Sequence, residues 1–328
     1  MKFIKKLVFN SYKKIELELL CFVDYLKFKK SFTNDSDKKD VSSLKSWILQ
    51  DKHRIEKGLS LPSPRFGFGR DVLLRLHKNL QDYQAVHEKD YVYYIGVGAY
   101  RAYVEYHTAY HEQLPLEITH LIDIYRDDFS VEQTSVVGLK NISQSTMNSS
   151  TLSDFFESRS SCRKFNKDSL IADETLYEAI RMAKQSPSVC NRQPWRVHFF
   201  SEGKVKKILS LQNGNVGFGD EVPYVAVVTC DLKAFYAPSE RNQAFVDGGL
   251  FSMSFLLALH SLDIQACALN WCDTFGVRRK FSKLGFVDNS EVVIMIIAFG
   301  YAENGATCAK SPRLDTENFL KFHWNKAK

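Results

Sequence analysis

The hydrophobic pattern changes texture halfway along this chain. Up to about residue 128 the apolar positions recur at helical spacing; beyond about 150, β-branched runs alternate with helical segments. The spacing predicts a helix over Ser42–Gly58, with Leu44, Ile48 and Ile55 on one face and Gly58 placed to stop it. A second follows over Asp71–Glu88, carrying Leu73, Leu74, Leu76 and Leu80. Tyr91–His111 reads as a third, with Tyr100, Tyr103, His107 and Tyr110 on an aromatic face of the kind used in cores and interfaces. Leu114–Arg126 predicts a fourth. Ahead of these, Met1–Phe32 has apolar residues at loosely helical spacing among eight lysines. Thr33–Val41 is polar, a linker or helix start. Phe129–Thr151, rich in Ser, Thr and Asn, reads as the linker between halves.

In the second half, Asp154-x-x-Glu157 has capping-box logic for a short helix. Asp173 is placed to cap the next, whose Leu176, Ile180 and Ala183 share a face. Gln185–Trp195 (Q-S-P-S-V-C-N-R-Q-P-W) is turn-rich and polar. Strands are predicted at Val197–Phe200, Pro223–Cys230 and Val292–Tyr301, the last two as buried runs. Lys204–Leu211 predicts a helix and Asn213–Asp220 a glycine-rich loop. Asp247–Leu262 is nearly all apolar, a helix buried on most sides but short of a membrane span. The tail from Cys308 is basic and polar. This order predicts an α+β sandwich of sheet and helices at 152–328, preceded by a linker at 129–151, a mostly helical domain at 33–128 and a basic segment at 1–32. No strand–G-x-G-x-x-G–helix unit occurs, which argues against a Rossmann domain.

Composition narrows the function classes. The 328 residues are 45% hydrophobic, enough for a full core. A net charge of +6 suits anionic ligands without arguing for nucleic acid. Seven scattered cysteines without a C-x-x-C pair argue against a disulfide framework or structural zinc and for a reducing, cytoplasmic setting. No sustained apolar region of a signal peptide follows the first lysines. Residues 1–32 read either as a helix on an anionic membrane surface or partner, or as a helix capping the fold. His107 and His111, four apart, lack a third metal ligand in the sequence, so no metal is expected. Gly67-x-Gly69 between Arg65 and Arg70 is read as a turn before a helix rather than an anion cradle.

The chemistry concentrates in two stretches. Arg159, Ser161 and Arg163 put two guanidiniums and a hydroxyl within five residues, beside Lys164. Guanidiniums take phosphate through bidentate, charge-assisted hydrogen bonds. Lys310 and Arg313 add charge if the tail converges on them. Asn191 and Gln193 carry amides that match the donor and acceptor edge of a flat heterocycle, with Pro187 and Ser188 alongside.

These residues resemble the FMN-dependent nitroreductases. Arg159, Ser161, Arg163 and Phe165 match that family's R-R-S-x-R-x-F pattern. Pro187, Ser188, Asn191, Gln193, Pro194 and Trp195 match its P-S-x-x-N-x-Q-P-W pattern without a gap. The resemblance covers about residues 150–315. It implies a nitroreductase-like, domain-entwined homodimer with FMN at the subunit interface and NADH or NADPH as co-substrate. Arg159, Ser160, Ser161, Arg163, Lys310 and Arg313 would hold the phosphate. Pro187, Ser188, Asn191 and Gln193 would hold the ribityl chain and ring. The segment ending in Asn270 and Trp271 sits where the family places backbone donors near the flavin N5, and the apolar helix from Asp247 resembles its dimer helix. Two departures stand out: Ser160 replaces a frequent basic residue, and Asp263–Ala266 replaces a commonly glycine-rich stretch. The implied activity is electron transfer from NAD(P)H through FMN to a small organic acceptor by a ping-pong mechanism. The alternatives are a flavin dehydrogenase or oxidase in a biosynthetic pathway, or a non-catalytic flavin-fold scaffold. The stretch His53–Leu59 (H-R-I-E-K-G-L) resembles a segment that accompanies such domains in some bacterial surface-polysaccharide gene sets.

Overall fold

A computed structural model describes residues 2–33, 40–62, 64–109, 113–271 and 273–324. The helical half contains α1 (Lys2–Ser31), α2 (Val41–Leu59), α3 (Arg70–Val86), α4 (Tyr91–Ala109) and α5 (Leu116–Asp123). Short 3-10 turns follow at Arg126–Ser130 and Glu132–Val136. Asp40 caps α2 by accepting from the Ser42 and Ser43 amides at 2.9 and 3.4 Å. Leu44, Ile48 and Ile55 of α2 pack with Leu73, Leu76 and Leu80 of α3 and with Tyr93, Val97, Tyr100 and Tyr103 of α4. Tyrosine serves as core here because the buried hydroxyls find acceptors. Tyr100 donates to the Leu73 carbonyl and Tyr103 to that of Phe68, both at 2.7 Å, and Tyr83 donates to Asp90 at 2.9 Å.

Several local expectations change in this half. Gly58 lies inside α2 instead of stopping it. A Cβ there would stand 2.0 Å from the Phe68 ring, so the glycine admits that side chain. His107 is buried with both ring nitrogens engaged, to the Tyr103 carbonyl at 2.8 Å and the Gly67 amide at 3.3 Å. It has no nitrogen left for a metal, and His111 lies outside the described residues. Gly67 and Gly69 adopt left-handed φ of 65° and 76° in a turn, and Arg70 pairs bidentately with Glu117 at 2.8 Å. The expected linker also starts later. Thr134 is buried, and Arg101 of α4 donates to the Phe129 carbonyl and to Thr134 at 3.1 and 3.3 Å, so the turns up to Val136 belong to the helical body.

The second half contains α6 (Ser149–Ser158), α7 (Asp173–Ala183), α8 (Gly203–Leu209), α9 (Gln243–Ser261) and α10 (Phe275–Leu284). They surround β1 (Trp195–Ser201), β2 (Tyr224–Asp231), β3 (Gln265–Leu269) and β4 (Glu291–Gly300). The four strands form one antiparallel sheet in the order β1-β2-β4-β3, with a register shift between Val228 and Thr229. Helices α7 and α9 cover one face, where Phe251, Phe255 and Leu259 meet Ala226, Val228 and Ile297. Ile208 and Phe281 pack on the other face with Val225, Val227 and Ile296. The expected α+β sandwich is what forms.

The differences are local. Asn148, not Asp154, caps α6, accepting from the Ser150 amide at 2.9 Å. Ala172 occupies the cap of α7, and Asp173 is its first helical residue, favourable against the helix dipole. Strand β3 and helix α10 were not legible: five residues are too few to set a period, and Val277, Phe281 and Leu284 mark only a short face on a basic helix. Helix α9 is long and apolar enough for a membrane span, contrary to expectation, but half of it is buried within the fold. It is not buried on most sides either. Val246, Leu250 and Met253, spaced four and three apart, form a bare apolar stripe next to exposed Phe245.

Helix α1 docks on the sheet-bearing half. Phe28 packs against that core, Lys27 donates to the Glu291 carbonyl at 2.5 Å, and Asp24 pairs with Arg278 at 2.6 Å.

Candidate functional site

The arginine stretch runs along the open edge of β3. Ser161 bridges Ala266 in parallel, the Cys162 amide donates to the Ala266 carbonyl at 3.0 Å, and Phe165 bridges Ala302. Cys162 and Phe165 are buried while Arg163 and Lys164 both point to solvent, so the stretch departs from strict strand alternation after its bridge to β3. Two ionisable neighbours, Cys267 and His260, feel these charges. Burial pushes the Cys267 thiol of β3 up, while Arg163, Ser161 and Arg159 pull against it. Burial and then Arg159 hold His260 below the ordinary imidazole range, and its Nε2 lies 2.8 Å from the Ser158 hydroxyl. Arg159, Ser161 and Arg163 thus share one patch, with Ser160 half-buried between them. A cluster of guanidiniums and hydroxyls beside an exposed strand edge fits a phosphate dianion.

The turn-rich segment before β1 is held from beneath. Cys190, Asn191 and Gln193 take left-handed φ of 48°, 52° and 50°. Asparagine tolerates this region; cysteine and glutamine occupy it only when surroundings impose it. The imposing groups are Arg192 and Asp247, which sequence reasoning missed. Arg192 is 2% exposed. Its guanidinium donates to the Val189 and Ala234 carbonyls at 3.2 and 2.7 Å and is paired with Glu240. Asp247 of α9 accepts from the Val189 amide at 3.2 Å and from Gln243 at 2.8 Å, and its carbonyl takes the Trp195 indole N–H at 2.9 Å. Burial raises the Asp247 carboxyl above its ordinary range, against the pull of these donors. The signals were present: a lone carboxylate in an apolar helix and an arginine amid turn residues.

On this frame the Ser188 hydroxyl accepts from the Gln193 amide at 3.0 Å, and the Gln193 side chain donates to the Asn191 carbonyl at 3.2 Å. Pro187 is exposed, and Ser188, Asn191 and Gln193 are half-buried. The segment presents a polar rim to solvent. Asn270 is exposed directly after β3 and accepts from Gln212 at its carbonyl and its side-chain oxygen, at 3.1 and 3.2 Å. Trp271 turns inward, its ring 4.9 Å from that of Phe281.

The candidate residues do not converge within one chain. The arginine patch lies beside β3 and the polar turn leads into β1, which are opposite edges of the sheet. Three strand spacings, about 14 Å, separate those edges. Lys310 and Arg313 are exposed in an irregular tail, where Arg313 turns back to the Ser311 carbonyl. No contact joins them to the arginine patch among the described residues.

Residues 156–212 match the model of the nitroreductase family. A curated Streptomyces coelicolor protein, assigned by name as an NADH dehydrogenase/NAD(P)H nitroreductase, is 25% identical over 176 residues, covering 47% of this chain and 85% of its own. Among solved structures, a Desulfovibrio desulfuricans nitroreductase in complex with FMN is 18% identical with a TM-score of 0.45, covering 55% of this chain and 100% of its own. A Desulfitobacterium hafniense nitroreductase with bound FMN is 22% identical with a TM-score of 0.41, covering 54% and 99%. By sequence, the match to the nitroreductase family model spans the arginine patch and the polar turn, and the helical half before it lies outside that match.

Proposed function

We propose that this protein is an FMN-dependent NAD(P)H oxidoreductase of nitroreductase type that works as a homodimer. The observation that carries the reading is the placement of two matched motifs on opposite edges of one sheet, with a bare apolar stripe on α9. Burying that stripe against a second copy would bring one subunit's arginine patch to the other's polar turn. Exposed contiguous apolar surface of this kind marks an interface.

Arg159 and Arg163 bind the FMN phosphate, with Ser160 and Ser161 adding hydroxyl donors. Lys310 and Arg313 reach the same phosphate once the tail is seated. Pro187, Ser188, Asn191 and Gln193 line the ring and ribityl chain, and the backbone at Asn270 and Trp271 orients the ring's reactive edge. When bound, FMN supplies hydride acceptance from a reduced nicotinamide and electron delivery to a small organic acceptor, in two half-reactions of a ping-pong cycle. One exposed site serves both half-reactions in turn, so no separate nicotinamide domain is needed.

The test is the visible spectrum of the purified protein after addition of FMN. A yellow protein bleached anaerobically by NADH or NADPH is expected. A protein that takes up no FMN overturns the reading, and a yellow protein inert to both nucleotides overturns the reductase assignment. Arg159→Ala and Arg163→Ala should each weaken FMN binding at least about tenfold, the worth of a charge-assisted hydrogen bond. Full retention in both removes these arginines from the phosphate site.

A further inference from the structure

The helical half lies outside the family match, yet one face of α2 rests on the frame of the polar turn. Helix α2 packs against Val189–Asn191 and against Leu232–Ala234. Its Trp47 ring lies 5.2 Å from that of Tyr236, and its Arg54 donates to the Tyr236 hydroxyl at 3.3 Å. Tyr236 in turn lies under the Arg192 guanidinium, 5.1 Å from ring to charge, with Phe235 at 5.5 Å. Glu240, the partner of Arg192, also accepts from the Tyr236 amide at 2.9 Å. A further tie joins the halves: Ser42 donates to Asp231 at 2.6 Å, and the Asp231 amide in turn donates to the Pro194 carbonyl at 2.9 Å.

A second observation marks this face as more than packing. Helical spacing puts Gln50 between Trp47 and Arg54. It is 1% exposed, and its Nε2 has no hydrogen-bond partner. An unpaired buried donor costs about 1–3 kcal/mol, and a methionine of similar shape would avoid that cost. A face selected for stability alone would not keep it.

We propose that α2 is the positioning element of the cofactor loop, acting through Arg54 and Trp47 on Tyr236, and through Tyr236 on Arg192. Arg192 stands between the left-handed residues Asn191 and Gln193, whose backbone has no glycine to relieve it. Holding the arginine from the far side fixes the direction of the Asn191 and Gln193 side chains. The unpaired Gln50 Nε2 lies on the same face of α2 as Trp47 and Arg54. The stretch His53–Leu59 thereby gains a role: its arginine couples the helical half to the cofactor loop, and its glycine lets Phe68 close over α2.

The inference rests on the FMN reading, and the two fail separately. Wild type is first titrated with FMN; absence of binding there ends the FMN reading itself. Arg54→Ala, Tyr236→Phe and the double variant are then compared for FMN affinity, visible circular dichroism of the bound flavin, and Tm. Each single variant should bind FMN about five- to tenfold more weakly with an altered flavin dichroism and little change in Tm, and the double variant should be no worse than either single. Gln50→Met should hold or raise Tm while weakening FMN. Affinities within twofold of wild type in Tyr236→Phe and Gln50→Met, or losses that only track Tm, overturn the proposal.

Discussion

The two halves of this chain differ in how far one copy completes them. The helical body α2–α5 is largely closed, with Gln50 as its unpaired buried donor. Tyr83, Tyr100 and Tyr103 bury their rings and satisfy their hydroxyls within the half, and its interior Asp51 is met by Arg75 bidentately at 2.5 and 3.0 Å. The sheet-bearing half is open. Helix α9 keeps a bare apolar stripe, the tail exposes Leu314, Phe319 and Trp324, and among the described residues no carboxylate pairs with Arg159 or Arg163. A body that finishes most of its apolar contacts internally depends less on a partner. A half that leaves both undone offers surface of the kind the proposed FMN-bound homodimer would cover.

That contrast can be broken experimentally. Val246→Asp with Leu250→Asp would place two carboxylates in the bare stripe and should give a monomer that no longer retains FMN, read by light scattering and absorbance. A dimer that keeps its flavin would reassign the stripe. Arg192→Met would leave Glu240 buried without its partner and should cost about 3–5 kcal/mol in denaturant unfolding, with loss of the left-handed turn. A cost under about 1 kcal/mol would mean that the turn holds itself.

Smaller effects sharpen the same comparison. Gly58→Ala sets a methyl against the Phe68 ring in the closed half, and overpacking of this kind costs about 1–3 kcal/mol. The better helix propensity of alanine returns at most about 1 kcal/mol, so a lower Tm with unchanged FMN binding is expected. The smallest effect is a titration. The folded His260 lies below 6.5, so its contribution to stability is present above that pH and is lost as pH falls from 6.5 towards the folded value. Arg159→Ala should raise the His260 midpoint in NMR titration, and FMN phosphate should do the same in wild type. An unmoved midpoint in both would separate Arg159 from His260.

The long elements were legible because each carries its own period. Helices α2, α3 and α4 and strands β2 and β4 lie within a few residues of expectation. The errors fall where a contact at a distance decides. Phe68 explains Gly58, and Arg101 draws the turns after Phe129 into the helical body. In the candidate site, the exposed arginines and amides could be read from their chemistry and motif spacing. Arg192 and Asp247 could not, because their work is done by buried partners 42 and 58 residues away in the chain, at Ala234 and Val189.

By itself the sequence determined the α+β order of the second half, the helical texture of the first, and a phosphate-type and a ring-type motif one helix apart. Those are local properties: a period of apolar residues, a cluster of guanidiniums, a run of turn residues. Only the tertiary structure decided that the two motifs stand on opposite edges of one sheet and that α2 reaches the underside of the polar turn. Strand order is set by which buried faces pack together, and spacing along the chain carries no record of it.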